Sequence, residues 1–89
     1  MASEELIASW ERTERHLRAA LDRQDLPQEA LATAVDYIEH NEFGLAFEHV
    51  VSVLVERGIA LNAEARESLA AAVTDMGLQA NSDWIALGR

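Results

Sequence analysis

The sequence predicts an all-α fold, a single small bundle of four helices. Apolar residues recur at helical spacing through four segments, start and stop signals fall between those segments, and the chain is too short for more than one modest core. All 89 residues, 1–89, are therefore read as one domain. No internal repeat, low-complexity stretch or domain linker interrupts them.

Ser3 is placed to cap a first helix, and Glu4 and Glu5 suit the positive end of its dipole. Leu6, Trp10, Leu17 and Leu21, with Ile7 and Ala20 beside them, define its apolar stripe, and the helix is expected to end near Arg23. Leu26-Pro27 marks the next start, because proline is tolerated at the first helical position and its ring pushes the preceding residue out of the α region. Leu31, Ala34, Val35 and Ile38 form the buried face of this second helix.

His40-Asn41-Glu42 reads as a short turn, with Asn41 able to close one helix or cap the next. From Phe43 to Val55, nine of thirteen residues are apolar, which predicts a central and deeply buried third helix. The run Val50-Val51-Ser52-Val53-Leu54-Val55 has the composition of a strand. Helix is preferred because the run continues the preceding pattern and Gly58 supplies a stop. Asn62 caps a fourth helix, in which Ala65, Leu69, Ala72, Val73 and Met76 line one side and Gly77 ends it. Trp84, Ile85 and Leu87 can add one short C-terminal turn or helix that closes an open side of the core.

Charge narrows the functional classes. There is no cysteine, which excludes disulfides, thiol nucleophiles and thiolate metal sites and fits a reducing compartment. The start MASEEL lacks a secretory signal and no segment approaches a membrane span, so a cytoplasmic location is expected. Sixteen acids face seven arginines and no lysine, and the net charge of -9 disfavours nucleic acid and anionic lipid as partners. Residues 26–56 carry Glu29, Asp36, Glu39, Glu42, Glu48 and Glu56 without one arginine, whereas both ends of the chain are nearly balanced. Six of the nine net charges thus sit on two adjacent segments, which points to a face for a basic partner more than to general solvation.

Catalysis is not expected. Glycine-rich phosphate loops and recognisable nucleophile triads are absent, and a bundle of this size rarely encloses a cleft. Asp36 and His40 lie one helical turn apart with Glu39 adjacent, a spacing compatible with a metal but far commoner in a solvated ion pair, so neither metal nor cofactor is assigned. Glu48 and His49, inside the apolar helix, suggest a structural hydrogen-bonding role. Arg12, Arg15 and Arg18 are interleaved with Glu11 and Glu14 and make no basic stripe. On a helix over residues 27–41, Glu29, Thr33, Asp36, Tyr37 and His40 recur at i, i+4, i+7, i+8 and i+11, opposite the core face, and Glu39 and Glu42 extend that strip. Glu29, Asp36, Tyr37, Glu39, His40 and Glu42 are therefore the candidate partner-binding residues, with Tyr37 as an anchor among acids; an ordinary solvated face is the plain alternative.

The segment Asp36–Glu48, DYIEHNEFGLAFE, followed by VLVERGIALNAEARESLAAAVTDMGL, resembles the MafI family of immunity proteins, which accompany polymorphic secreted toxins and are similar in role to those of contact-dependent growth inhibition. The likeness covers roughly residues 27–78 and shares only helical character with residues 1–25. It implies a cytoplasmic inhibitor bound 1:1 to the C-terminal domain of a toxin, expected to be a ribonuclease with a basic, phosphate-holding cleft. Two other readings stay open: a small acidic adaptor or regulatory module unrelated to toxins, and a dimer that associates through Leu45, Val55 or Trp84.

Overall fold

A computed structural model describes residues 4–77, the side chains of Glu5 and Leu6 excepted, together with Trp84. Four helices follow in order, α1 (Glu4–Arg23), α2 (Gln28–Glu39), α3 (Phe43–Glu56) and α4 (Ala63–Met76), and no strand occurs among the described residues. The predicted Ser3 cap and the contribution of Ile85 and Leu87 to a closing turn lie outside those residues.

Local chemistry sets the boundaries. Pro27 stands just before α2 as its N-cap, at φ -56° and ψ 146°, one position earlier than the first-turn proline expected from the sequence. Asn41 closes α2 with φ 59°, a left-handed conformation that asparagine tolerates better than most residues. Its amide donates to the carbonyl of Ile38, and that of Glu42 donates to the carbonyl of Tyr37 at 2.8 Å. These two reversed bonds make a Schellman closure. The end of α3 repeats it: Gly58 has φ 62°, and the Ile59 amide reaches the Leu54 carbonyl at 2.9 Å. At α4 the Asn62 side chain accepts from the Ala65 amide at 2.7 Å, and Gly77 in the left-handed region ends the helix.

The helices form two antiparallel pairs. α1 packs mainly on α4 and α2 mainly on α3, and the two pairs share one core. Arg12 and His16 face Asp75 at one end of the α1–α4 pair, while Arg23 bonds Glu64 at the other. Exposed ion pairs of this kind contribute little stability but mark the register. α3 buries Phe43, Ala46, Phe47, Val50, Val51, Val53 and Leu54, as expected for the central element, against Leu17, Leu21, Ala34, Ile38 and Leu69. Packing thus decides the valine-rich run in favour of helix, despite its strand propensity. Trp84 lies half-buried on this core, edge-on to Phe47 with ring centroids 5.4 Å apart.

Three details differ from the sequence pattern. Among the described side chains of α1 the buried ones are Thr13, Leu17, Ala20 and Leu21, with Gln24 buried just beyond its end, while Ile7 and Trp10 are exposed. Thr13 is accommodated because its hydroxyl donates to the Ser9 carbonyl at 2.9 Å. Gln24, 8% exposed, spans from α1 to the α3–α4 connection: its amide donates to the carbonyls of Ala60 and Asp25, and its oxygen accepts from the Asn62 amide at 3.0 Å. On α2 the buried face is Ala30, Ala34 and Ile38, with Leu31 and Val35 on its shoulder.

Candidate functional site: the acidic turn and the groove beside it

The turn between α2 and α3 gathers the exposed charge of the middle segment. Asp36 and Glu39 lie in the last turn of α2, His40 caps it, and Glu42 precedes the first residue of α3; all four are exposed. His40 Nδ1 donates to the Asp36 carbonyl at 2.7 Å and lies 3.5 Å from the Asp36 carboxylate. That carbonyl, the Asp36 carboxylate, Glu42 and Glu39, in falling order, raise the His40 pKa above its ordinary value, with desolvation opposing them. The ring therefore registers three carboxylates around one turn. Among the described residues none of the three has an arginine partner, and the Schellman closure fixes the backbone that carries them.

Two of the proposed site residues are placed differently. Glu29 sits in the first turn of α2, about 15 Å along the helix from Glu39 at 1.5 Å per residue, and its carboxylate bonds Arg57 at 3.0 Å. An arginine just beyond the acidic segment thus neutralises it and removes it from the cluster. Tyr37 is half-buried and packs on the core, its ring edge-on to His49 at 6.1 Å, and does not stand as an exposed anchor. The physical reason is rotation of α2: the buried face centres on Ala34, roughly 50° round from the face predicted by Leu31, Ala34, Val35 and Ile38 at 100° per residue. That rotation turns Tyr37 inward against α3.

The hydrogen-bonding role expected for Glu48 and His49 is also corrected. Glu48 is exposed, and His49 Nε2 is enclosed without a hydrogen-bond partner among the described residues, because the ring packs against Tyr37 instead of reaching a polar group. No group of three or more His, Cys, Asp or Glu converges as a metal would require among the described residues. No described helix is long and apolar enough to cross a membrane.

The sequence reading missed a groove next to the turn. Trp10 and Thr13 of α1, Asn41, Phe43 and Gly44 at the start of α3, and Met76 at the end of α4 line an open depression of about 310 Å³. Trp10 is 43% exposed there although it lies near the buried arc of its helix. Gly44, which lines the same depression, contributes no side chain to it, and a Cβ there would meet nothing within 4 Å. A helical glycine beside a large apolar residue without a cover was the signal available in the sequence. Asp75 also lines the groove, with Arg12 and His16 facing its carboxylate, and Glu42 lies in the chain between the lining residues Asn41 and Phe43.

No family model, curated protein or solved structure matches the chain.

Proposed function

We propose that this protein is an immunity protein that binds a cognate secreted toxin domain in the cytoplasm and neutralises it, the toxin being a nuclease, most simply a ribonuclease, with a basic substrate cleft. The observation that carries the reading is the cluster of Asp36, Glu39 and Glu42 about His40, exposed, without arginine partners among the described residues and held on a backbone closed by its own hydrogen bonds. The resemblance of residues 27–78 to MafI immunity proteins supplies the biological setting. A cleft that binds phosphates is basic, so fixed carboxylates steer the inhibitor to it and then compete with substrate.

The mechanism is steric and electrostatic, with no bond made or broken by the inhibitor. Long-range attraction sets the association rate, and desolvation of the turn against the cleft sets the residence time.

The test is co-expression with the C-terminal domain encoded immediately upstream, then purification, RNA-cleavage assay and binding kinetics. A stoichiometric complex that abolishes cleavage is expected. Combining Asp36→Asn, Glu39→Gln and Glu42→Gln should slow association by about tenfold or more at low salt and flatten its salt dependence. An unchanged rate and slope would remove the turn from the interface, and absence of any complex would return the protein to the adaptor reading.

A further inference from the structure

An acidic turn supplies charge but no apolar anchor, and Tyr37, the residue that sequence reasoning chose for that task, is engaged by His49 and the core. The described large apolar residues left exposed are Ile7, Trp10, Leu45 and Val55. Of these, Trp10 forms a wall of a concave surface, which it shares with Phe43, Gly44 and Met76 and with the polar Ser9, Thr13, Asn41 and Asp75. Concavity matters because interface anchors gain most where they fill a desolvated pocket, and a lone side chain on a convex helix offers no such pocket.

We propose that the groove walled by Trp10, Phe43, Gly44 and Met76 is a docking site for one apolar side chain of a partner segment in which that residue is flanked by arginine or lysine. Charge complementarity identifies the occupant. Glu42 adjoins two of the lining residues in the chain, Glu39 and Asp36 lie on the same turn, and none of the three carboxylates is neutralised by arginine among the described residues. A basic segment therefore finds its counter-charges on the turn that adjoins the groove while its apolar side chain enters the groove. Acidic segments are repelled, and an uncharged apolar segment forfeits the turn. This inference deepens the proposed function by naming the partner chemistry that the acidic turn receives, and it rests on that reading for its biological role but not for its test.

The experiment uses the whole chain and three capped pentapeptides, Lys-Arg-Leu-Arg-Lys, Lys-Arg-Gly-Arg-Lys and Glu-Glu-Leu-Glu-Glu, titrated against the labelled protein by NMR. The leucine peptide is expected to bind about tenfold or more tightly than the glycine peptide, the low end of what burying one leucine supplies. Shifts should concentrate at the Trp10 indole, Asn41 and Gly44, and the acidic peptide should cause none. A Cβ at Gly44 meets nothing within 4 Å at an ordinary helical position, so Gly44→Leu is expected to keep the fold, checked by its circular dichroism, and to occupy the groove. It should abolish the leucine advantage while leaving the weak charge-driven binding that both basic peptides share. Trp10→Ala provides a second disruption from the opposite wall, and Glu39→Gln with Glu42→Gln should weaken both basic peptides equally.

Equal affinity for the leucine and glycine peptides, or shifts centred on Leu45 and Val55, would overturn the proposal. So would sedimentation showing a dimer that Gly44→Leu dissolves, because a second copy of the chain would then be the occupant. Loss of leucine selectivity with an intact, charge-dependent toxin complex would remove the groove alone. Leucine-selective binding without any nuclease partner would keep the groove and remove the immunity reading.

Discussion

Gln24 should matter to this fold through its hydrogen bonds more than through the area it buries. Gln24→Ala deletes an amide that donates at 2.9 Å to the Ala60 carbonyl and at 3.1 Å to that of Asp25, and an oxygen that accepts at 3.0 Å from the Asn62 amide. At about 1 kcal/mol net per hydrogen bond, the three together contribute about 3 kcal/mol. Ala60 and Asn62 are themselves exposed, so water recovers part of that, and the expected loss is about 2 kcal/mol. For a domain of this size the melting temperature should fall by about 8–16 °C, read by circular dichroism at 222 nm with a urea titration for the free energy. Gln24→Glu keeps the shape and the acceptor but turns a carboxylate toward two carbonyl oxygens. Its neutral acid is the better fit, so the folded-state ionisation moves up. The stability conferred by protonation is then fully present below the unfolded carboxyl range and is lost as pH rises through the folded value. Relative to wild type, Gln24→Glu should therefore recover on acidification, whereas Gln24→Ala should not. A loss below about 0.5 kcal/mol for Gln24→Ala, the size of an ordinary surface substitution, would refute the claim that this side chain ties α1 to the α3–α4 connection.

Two glycines should respond with opposite signs to the same substitution. Gly44→Ala adds a methyl group in open space at a helical position and should stabilise by about 0.5–1 kcal/mol, whereas Gly58→Ala, at φ 62°, forces a side chain into the left-handed region and should cost about 1–2 kcal/mol; urea melts of both variants check the pair. His40 should titrate above the ordinary histidine range in an NMR pH series, and Asp36→Asn should lower that midpoint without returning it fully, because the backbone carbonyl of Asp36 remains. The raised folded-state value means that its contribution to stability is complete below the unfolded pKa and disappears as pH rises through the folded one. A midpoint unmoved by Asp36→Asn would show that the carboxylate does not act on the ring.

Much of the fold was legible because its boundaries are written in capping chemistry. Asn41, Gly58, Asn62 and Gly77 each stop or start a helix at the predicted place, since left-handed backbone and orphan amides select few residue types. The faces of the helices were less legible. Periodicity locates a buried stripe only to within a few tens of degrees, and Tyr37 stood close enough to that border for the packing of α3 to draw it inward. Thr13 and Gln24 were passed over as core positions because their burial depends on carbonyls elsewhere in the fold, one a turn earlier and the others across a connection. Trp10 falls on the apolar stripe of its helix, and a single helix carries no record of how closely α3 and α4 approach that end of it. The candidate site was legible as a charge imbalance, which is additive along the chain. Its true extent was not, because Glu29 meets Arg57 only after α2 and α3 are laid antiparallel.

The closure at Asn41 has a consequence for how such a surface changes over generations. Main-chain bonds from Asn41 and Glu42 to Ile38 and Tyr37 hold the bend, so the side chains at Asp36, Glu39 and Glu42 contribute nothing to its shape. Substitution of those three is expected to leave the fold within about 0.5 kcal/mol of its original stability, the ordinary range for solvent-facing positions. The bend is thus a rigid frame with interchangeable lettering. A lineage whose partner altered its basic surface could rewrite these three positions without passing through an unfolded ancestor, and apart from proline, which has no amide to donate, the alphabet open to it would be set by recognition.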